Sequence, residues 1–153
     1  MATFTFYNPA RLRVAASTGA KAPFLFNASA SATWKLLFVN GYTFNNDHSA
    51  RNQITNEVTA ANYQTLGVDL QNITWTLAAS GTCTFDAADT IVTASATAIT
   101  ADGAVLYYNS AVAVSDGSTA TLFAYVNFSG TAVAGDTTIM KITWNAAGLM
   151  ELK

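Results

Sequence analysis

Residues 33–39 read TWKLLFV and are followed by Asn40-Gly41. β-branched and aromatic side chains suit the pleated surface of a strand, and an Asn-Gly pair suits the positive φ angles of a tight turn. The stretch therefore predicts a β-strand that ends in a turn. Segments of the same kind recur along the chain, at 65–77, 82–85, 91–99, 104–108, 121–128 and 137–144. This spacing predicts an all-β fold, a single-domain antiparallel β-sandwich of the jelly-roll or Ig-like type.

Two dipeptides, one within a segment and one between two segments, predict local changes in the course of the backbone. Within residues 65–77 the apolar alternation changes phase at Gln71-Asn72, which predicts a β-bulge that shifts the facing of the side chains after it. Asp102-Gly103 separates two apolar segments. This pair can supply the positive φ values of a type I′ turn, so it predicts a hairpin.

The large apolar side chains predict which faces of the strands are buried. In the last strand, one face of the alternation carries Met140, Ile142 and Trp144, and we expect this face to pack into the core. Trp75 also lies inside an apolar strand, where core packing is the default for an indole ring. Cys83 stands between two threonines with no basic neighbour to activate its thiol, so we expect it to be buried and inert.

Little helix is predicted, and the beginning of the chain is the least regular part. Asp47 is placed to cap one short helix over residues 48–53. Residues 8–32 are rich in Ala and Ser and contain Pro9 and Pro23, which favours a long loop or arm. We therefore divide the chain into an irregular N-terminal arm, 1–32, and a β-sandwich domain, 33–153.

Charge is scarce in this chain of 153 residues, which has a formal net charge of −2 and charged side chains at only 10% of its positions. About 25% is usual. No basic face is encoded that could neutralise phosphates, so nucleic acid is not an expected partner. No apolar run approaches the roughly 20 residues of a membrane span, so no membrane partner is expected. The N-terminus has no secretory pattern, so export by a signal peptide is not expected either. Such a surface is either displayed as it is, as on many exported or virion β-proteins, or covered by other subunits.

Candidate chemical groups are few, since the chain has one His and one Cys. Asp47-His48 could contribute two metal ligands, but a metal site needs three or four, and a capped loop explains the pair better. Asp86 and Asp89 lack the glycine and the bidentate glutamate of a calcium loop, so they are interpreted as turn residues. We expect no enzyme, no catalytic residue, no metal and no cofactor.

The middle of the chain contains Tyr42-Thr43-Phe44, Asp47-His48 and Asn56-Glu57-Val58. These residues resemble the pattern YTF-x-x-DH followed by NEV of a family of small virion proteins encoded by tailed bacteriophages. The resemblance continues in FDAAD at 85–89, AVLYY at 104–108, LFAYVNF at 122–128 and ITWNAAGL at 142–149. It covers residues 42–149 in order and departs at Asn127, where the family has an acidic residue, so a salt bridge at that position is not assumed.

The resemblance implies a virion structural protein on the capsid surface, made in the cytoplasm of a bacterial host. Its implied role is capsid decoration as a cement protein that binds the lattice of the major capsid protein. The charge-poor composition independently favours a homo-oligomer, and a trimer fits the local three-fold positions of a capsid. The alternative is a tail-associated or fibre-like β-sandwich adhesin that binds host-surface glycans.

Apolar residues near the N-terminus are the predicted contact positions with a partner. A terminal arm rich in Phe needs something to cover it. The predicted contact residues are Phe4, Phe6, Arg11, Phe24 and Phe26.

Overall fold

The computed structural model describes residues 3–15, 33–77, 83–109, 120–145 and 148–152. Within these ranges the elements in chain order are β1 (Thr3–Phe6), α1 (Asn8–Ala15), β2 (Thr33–Val39), a 3₁₀ helix (Arg51–Gln53), β3 (Val68–Asp69), β4 (Thr74–Leu77), β5 (Cys83–Asp86), β6 (Thr90–Thr93), β7 (Ile99–Asn109), β8 (Thr121–Ala134), β9 (Ile139–Ile142) and β10 (Met150–Leu152). The strands form a five-stranded sheet in the order β1-β8-β7-β2-β3, a three-stranded sheet β10-β5-β4 and a two-stranded ribbon β6-β9, all with antiparallel pairing.

Aromatic rings join the two larger sheets. The ring of Trp34 on β2 lies 5.0 Å from the ring of Phe85 on β5 and 5.0 Å from that of Phe123 on β8. All three side chains are buried. Because large aromatic side chains contribute much of the apolar area that folding removes from water, this cluster is the centre of the core. The predicted all-β antiparallel sandwich is confirmed.

The hairpin predicted at Asp102-Gly103 is wrong, because β7 continues through this pair. Gly103 lies opposite Val39 of β2 on one side and Asn127 of β8 on the other, and these two ladders keep the chain extended. The irregularity falls on β8, where residues 128–131 lie opposite Asp102 alone. The positive φ angles that the turn prediction required occur there instead, at Ser129 and Gly130.

The stretch 65–77 crosses between sheets. β3 pairs with β2 in the five-stranded sheet, whereas β4 pairs with β5 in the three-stranded sheet. Asn72 lies between them with a φ of 52°. The predicted bulge at Gln71-Asn72 is therefore the point at which the chain leaves one sheet for the other, and the change of phase reflects a change of partner strand.

The beginning of the chain is more regular than its composition predicts. β1 forms the edge of the five-stranded sheet, with Phe4 opposite Val126 and Phe6 opposite Ala124 of β8. α1 begins at Asn8, and Pro9 suits its first turn because proline has no amide hydrogen to leave unpaired there. The rest of the predicted arm, residues 16–32, lies outside the described residues.

The predicted short helix is smaller than expected and is not capped by Asp47. The 3₁₀ helix has Ala50 at its N-cap, and the side chain of Gln53 accepts hydrogen bonds from the amides of Ser49 and Ala50 at 2.7 and 2.9 Å. The carboxylate of Asp47 instead accepts a hydrogen bond from the amide nitrogen Nδ2 of Asn8, at 2.9 Å. Asp47 thus ties its loop to the start of α1.

The predicted facing of side chains in the segment 137–144, which contains β9, is confirmed. Met140 is buried, and both Ile142 and Trp144 are partly buried against the core, while Lys141 and Thr143 between them are exposed. The side chains of Trp75 and Cys83 lie outside the described part of the structure, so the predictions for them stay predictions.

Candidate functional site

His48 belongs to a row of hydrogen-bonded side chains with Tyr42 and Tyr7. Its Nδ1 lies 3.0 Å from the hydroxyl of Tyr42, which lies 3.3 Å from the hydroxyl of Tyr7. Tyr7 is fully buried, and this burial, reinforced by the hydrogen bond to Tyr42, raises the pKa of its phenol. These contacts hold the loop after β2 against β1 and α1, so the role of His48 in this structure is to brace that loop.

A second polar cluster surrounds the ion pair between Arg51 and Glu57. The two side chains are only 15% and 14% exposed. The other carboxylate oxygen of Glu57 accepts hydrogen bonds from the amide of Leu66 at 2.7 Å and from the hydroxyl of Tyr63 at 3.3 Å. Burial raises the pKa of Tyr63, and the negative charge of Glu57 adds to the effect. The cluster fastens residues 57–66 to the 3₁₀ helix and satisfies each oxygen of the buried carboxylate.

The carboxylates of Asp86 and Asp89 have separate partners. Asp86 accepts a hydrogen bond from the amide of Ala87 at 2.8 Å. Asp89 lies 2.8 Å from Nζ of Lys141 and accepts a hydrogen bond from the amide of Trp144 at 3.1 Å; these two contacts lower its pKa. Both aspartates thus stabilise turns. Among the described residues, no group of three or more His, Cys, Asp or Glu side chains is placed to hold a metal ion.

The candidate functional site is a cleft of about 480 Å³ beside the edge strand β1, which we call the β1 cleft. It lies between β1, β8, the end of β9 and the segment that follows β9. Its lining is mostly apolar, and the large side chains that contribute are Phe4, Val126, Phe128, Ile142, Trp144 and Leu149. Polar groups at the cleft are Thr3, Lys141, Thr143 and Asn145. Such a cleft is suited to an apolar segment or side chain of a partner.

Of the five predicted contact residues, the structure places Phe4 in this cleft and places Phe6 and Arg11 outside its lining. Phe4 lines the cleft and is partly buried against the core. Phe6 packs inward, with its ring 5.2 Å from that of Phe4 and 5.2 Å from that of Phe123. Arg11 is exposed on α1. Phe24 and Phe26 lie outside the described residues.

Sequence reasoning did not place Ile142 and Trp144 in the same site as Phe4. The alternation of the last strand marked both as core-facing, and both do pack against the core. Their second role depends on the pairing of β1 with β8, which places Phe4 at the same cleft. Only the register between β1 and β8 could have revealed it.

The chain matches no protein-family model, no curated protein and no solved structure. The resemblance of residues 42–149 to phage virion proteins therefore stays a prediction. In the described ranges, no helix has both the length and the apolar character that crossing a bilayer requires.

Proposed function

We propose that this protein is a structural component of a tailed-bacteriophage virion, a capsid decoration or cement protein that binds the lattice of the major capsid protein. The assignment to a virion rests on the resemblance of residues 42–149. The observation that supports a binding role is the β1 cleft, which offers apolar side chains next to an edge strand. The protein is made in the cytoplasm of the bacterial host and acts on the capsid surface.

The β1 cleft is the proposed contact with the capsid protein. Phe4 and Trp144 supply aromatic surface of the kind that dominates the energetics of protein interfaces. Thr3 and Thr143 supply uncharged polar groups that can pair with a backbone. A homo-oligomer attached through several such clefts gains avidity that a single contact lacks.

The first experiment locates the protein. Particles purified on a density gradient are analysed by quantitative mass spectrometry, with the major capsid protein as the internal standard, and by immunogold labelling. A decoration protein is present in hundreds of copies and labels the shell. Labelling confined to the tail tip, or a few copies per particle, would contradict the proposal.

The second experiment tests the cleft. Thr143 is exposed at the cleft, so Thr143→Arg adds bulk and charge there without entering the core. The matched control is Thr76→Arg on β4, because Thr76 is also exposed and does not line the cleft. We expect capsids that lack the protein to bind the wild type and Thr76→Arg but to lose Thr143→Arg. Equal binding of the three would remove the cleft from the proposal.

A deletion of the first 26 residues would remove all five predicted contact residues, but it is not a suitable test of the cleft. The deletion removes β1 and α1, and with β1 the pairing partner of residues 124–127 of β8. Phe123 would also lose its contact with Phe6. Lost binding would then report lost structure, which is why point substitutions at the cleft are needed.

The second candidate function is a tail-associated adhesin that binds host-surface glycans. It draws on a polar pocket of about 320 Å³, lined by side chains that include Gln64, Asp69, Gln71, Asp89 and Thr90. Amides, carboxylates and hydroxyls of this kind pair with sugar hydroxyls. Adsorption of the purified protein to host cells, competed by surface polysaccharide and lost in Gln64→Ala and Gln71→Ala, would favour the adhesin.

A further inference from the structure

Three large apolar side chains of the described residues are mostly exposed, and two of them lie on paired strands. Ile91 and Ile139 are each 54% exposed and Val133 is 63% exposed. Val133 is the last residue but one of β8, Ile139 begins β9, and Ile91 lies on β6, the strand that pairs with β9. Single exposed apolar side chains need no explanation, but a group of them marks an interaction surface.

The register of the ribbon places both isoleucines on one face. Thr93 lies opposite Ile139, and Ile91 lies opposite Lys141. Directly opposed residues of an antiparallel pair point to the same side, so these four side chains share the outer face of β6-β9, which we call the ribbon face. The neighbouring residues Val92 and Met140 are buried on the other side.

The charges at the ribbon face are balanced. Lys141 lies 2.8 Å from Asp89, and their side chains are 45% and 33% exposed. Because this pair is partly exposed, it can also meet the same pair of a second copy across a two-fold axis, lysine to aspartate and aspartate to lysine. A surface of a single sign would repel its copy instead.

We infer that the ribbon face binds the ribbon face of a second copy of this chain. The inference rests on the homo-oligomer of the proposed function and names its surface. Ile91 and Ile139 form the apolar centre of the contact, and Asp89 fixes its orientation together with Lys141, which also borders the β1 cleft. A self-matching contact gives a dimer rather than the trimer that the three-fold positions of a capsid favour.

The size of the contact requires more than the two isoleucines. A stable interface buries about 800 Å² on each partner. Uncharged residues surround the apolar centre, among them the exposed Thr93, Thr137 and Thr138. Threonine can form a polar rim without the desolvation cost of a charge, so the composition near the ribbon suits a buried surface.

The test measures the mass of the full-length protein by sedimentation velocity over a range of concentrations. We expect a dimer for the wild type, and at least about a tenfold weaker association for Ile91→Thr/Ile139→Thr, since central apolar anchors dominate an interface. Ile91→Val/Ile139→Val keeps the face apolar and is the matched control that should stay dimeric. Circular dichroism verifies that the variants are folded, which the exposure of both positions favours.

A second measurement identifies the surface directly. In a Cys83→Ser background, Ile139→Cys should form a disulfide between copies under mild oxidation, while Thr76→Cys, at an exposed position on β4 of the three-stranded sheet, should not. A monomeric or trimeric wild type, or a dimer that Ile91→Thr/Ile139→Thr leaves intact, would overturn the inference. These outcomes do not affect the location of the protein in particles, which the gradient and labelling experiment decides separately.

Discussion

The replacement of Gly103 by alanine tests the packing of the five-stranded sheet at its tightest point. A Cβ atom at Gly103 would lie 2.5 Å from the hydroxyl oxygen of Tyr125, and 2.6 and 2.8 Å from Cε2 and Cζ of the same ring. Carbon atoms in contact normally lie about 3.5–4.0 Å apart. Since Gly103 is held on both sides by the neighbouring strands, the ring of Tyr125 has to yield.

The cost follows from what holds that ring in place. Tyr125 is 6% exposed, stacks on Phe44 with 5.4 Å between ring centroids, and meets the edge of Tyr42 at 5.5 Å. Losing two aromatic contacts of about 0.5–1.5 kcal/mol each would lower the free energy of unfolding by about 1–3 kcal/mol. Overpacking of cores typically costs the same, about 1–3 kcal/mol. For a domain of this size we expect the melting temperature to fall by about 2–12 °C.

Thermal and urea unfolding of four proteins measure this effect: wild type, Gly103→Ala, Tyr125→Ala and the double variant. Without the ring, Gly103→Ala should cost nothing, so the coupling between the two sites should reach at least about 1 kcal/mol. Gly135→Ala is the matched control, because its nearest neighbour is Oγ1 of Thr138 at 4.0 Å. An equal cost of Gly103→Ala with and without the tyrosine ring would refute the reasoning.

Three further predictions concern buried groups. Glu57→Gln should lower the free energy of unfolding by about 3–5 kcal/mol in urea melts, because it leaves a mostly buried guanidinium without its counter-charge. Gly67→Ala should cost more than about 2 kcal/mol by the same assay, since φ is +82° and the new Cβ would lie 2.8 Å from a backbone oxygen of β2. Burial raises the folded-state pKa values of Tyr7, Tyr63 and Tyr107 above 10.0, so the stability they contribute is complete below pH 10 and is lost as the pH rises further. Absorbance at 295 nm should then rise together with unfolding; ionisation of all the tyrosines in the folded protein would contradict this.

The strands were predictable where a single segment carries its own signal. TWKLLFV at 33–39 is a strand with the predicted limits, and Gly41 after it has the predicted positive φ of 75°. Thr3–Phe6 also alternates, and Asn8-Pro9 is a good helix start, but the Ala- and Ser-rich residues that follow favour an arm for the whole segment. The patterns of a strand and of a helix start are therefore present in residues 3–9, but the composition of the residues after them outweighs these patterns in the prediction.

Features that depend on pairing were not predictable in the same way. Asp102-Gly103 has the chemistry of a turn, yet the ladders on both sides of β7 hold it extended and move the irregularity to 128–131 of β8. The β1 cleft joins Phe4 to Trp144, which are nearly a whole chain length apart. Both outcomes are decided by register, which a single sequence does not contain.

The pairing of charges inside the fold bears on how the protein meets its partners. The chain has 7 basic and 9 acidic side chains, and three of each are paired in the described residues, as Lys35 with Asp69, Arg51 with Glu57 and Lys141 with Asp89. The first two pairs leave fewer charges for partners than the composition implies, and the third, which is partly exposed, is the pair that we place at the ribbon face. Salt screens attraction between exposed charges and leaves apolar contacts in place. Attachment through the β1 cleft should thus persist at salt concentrations that release a partner held by charge.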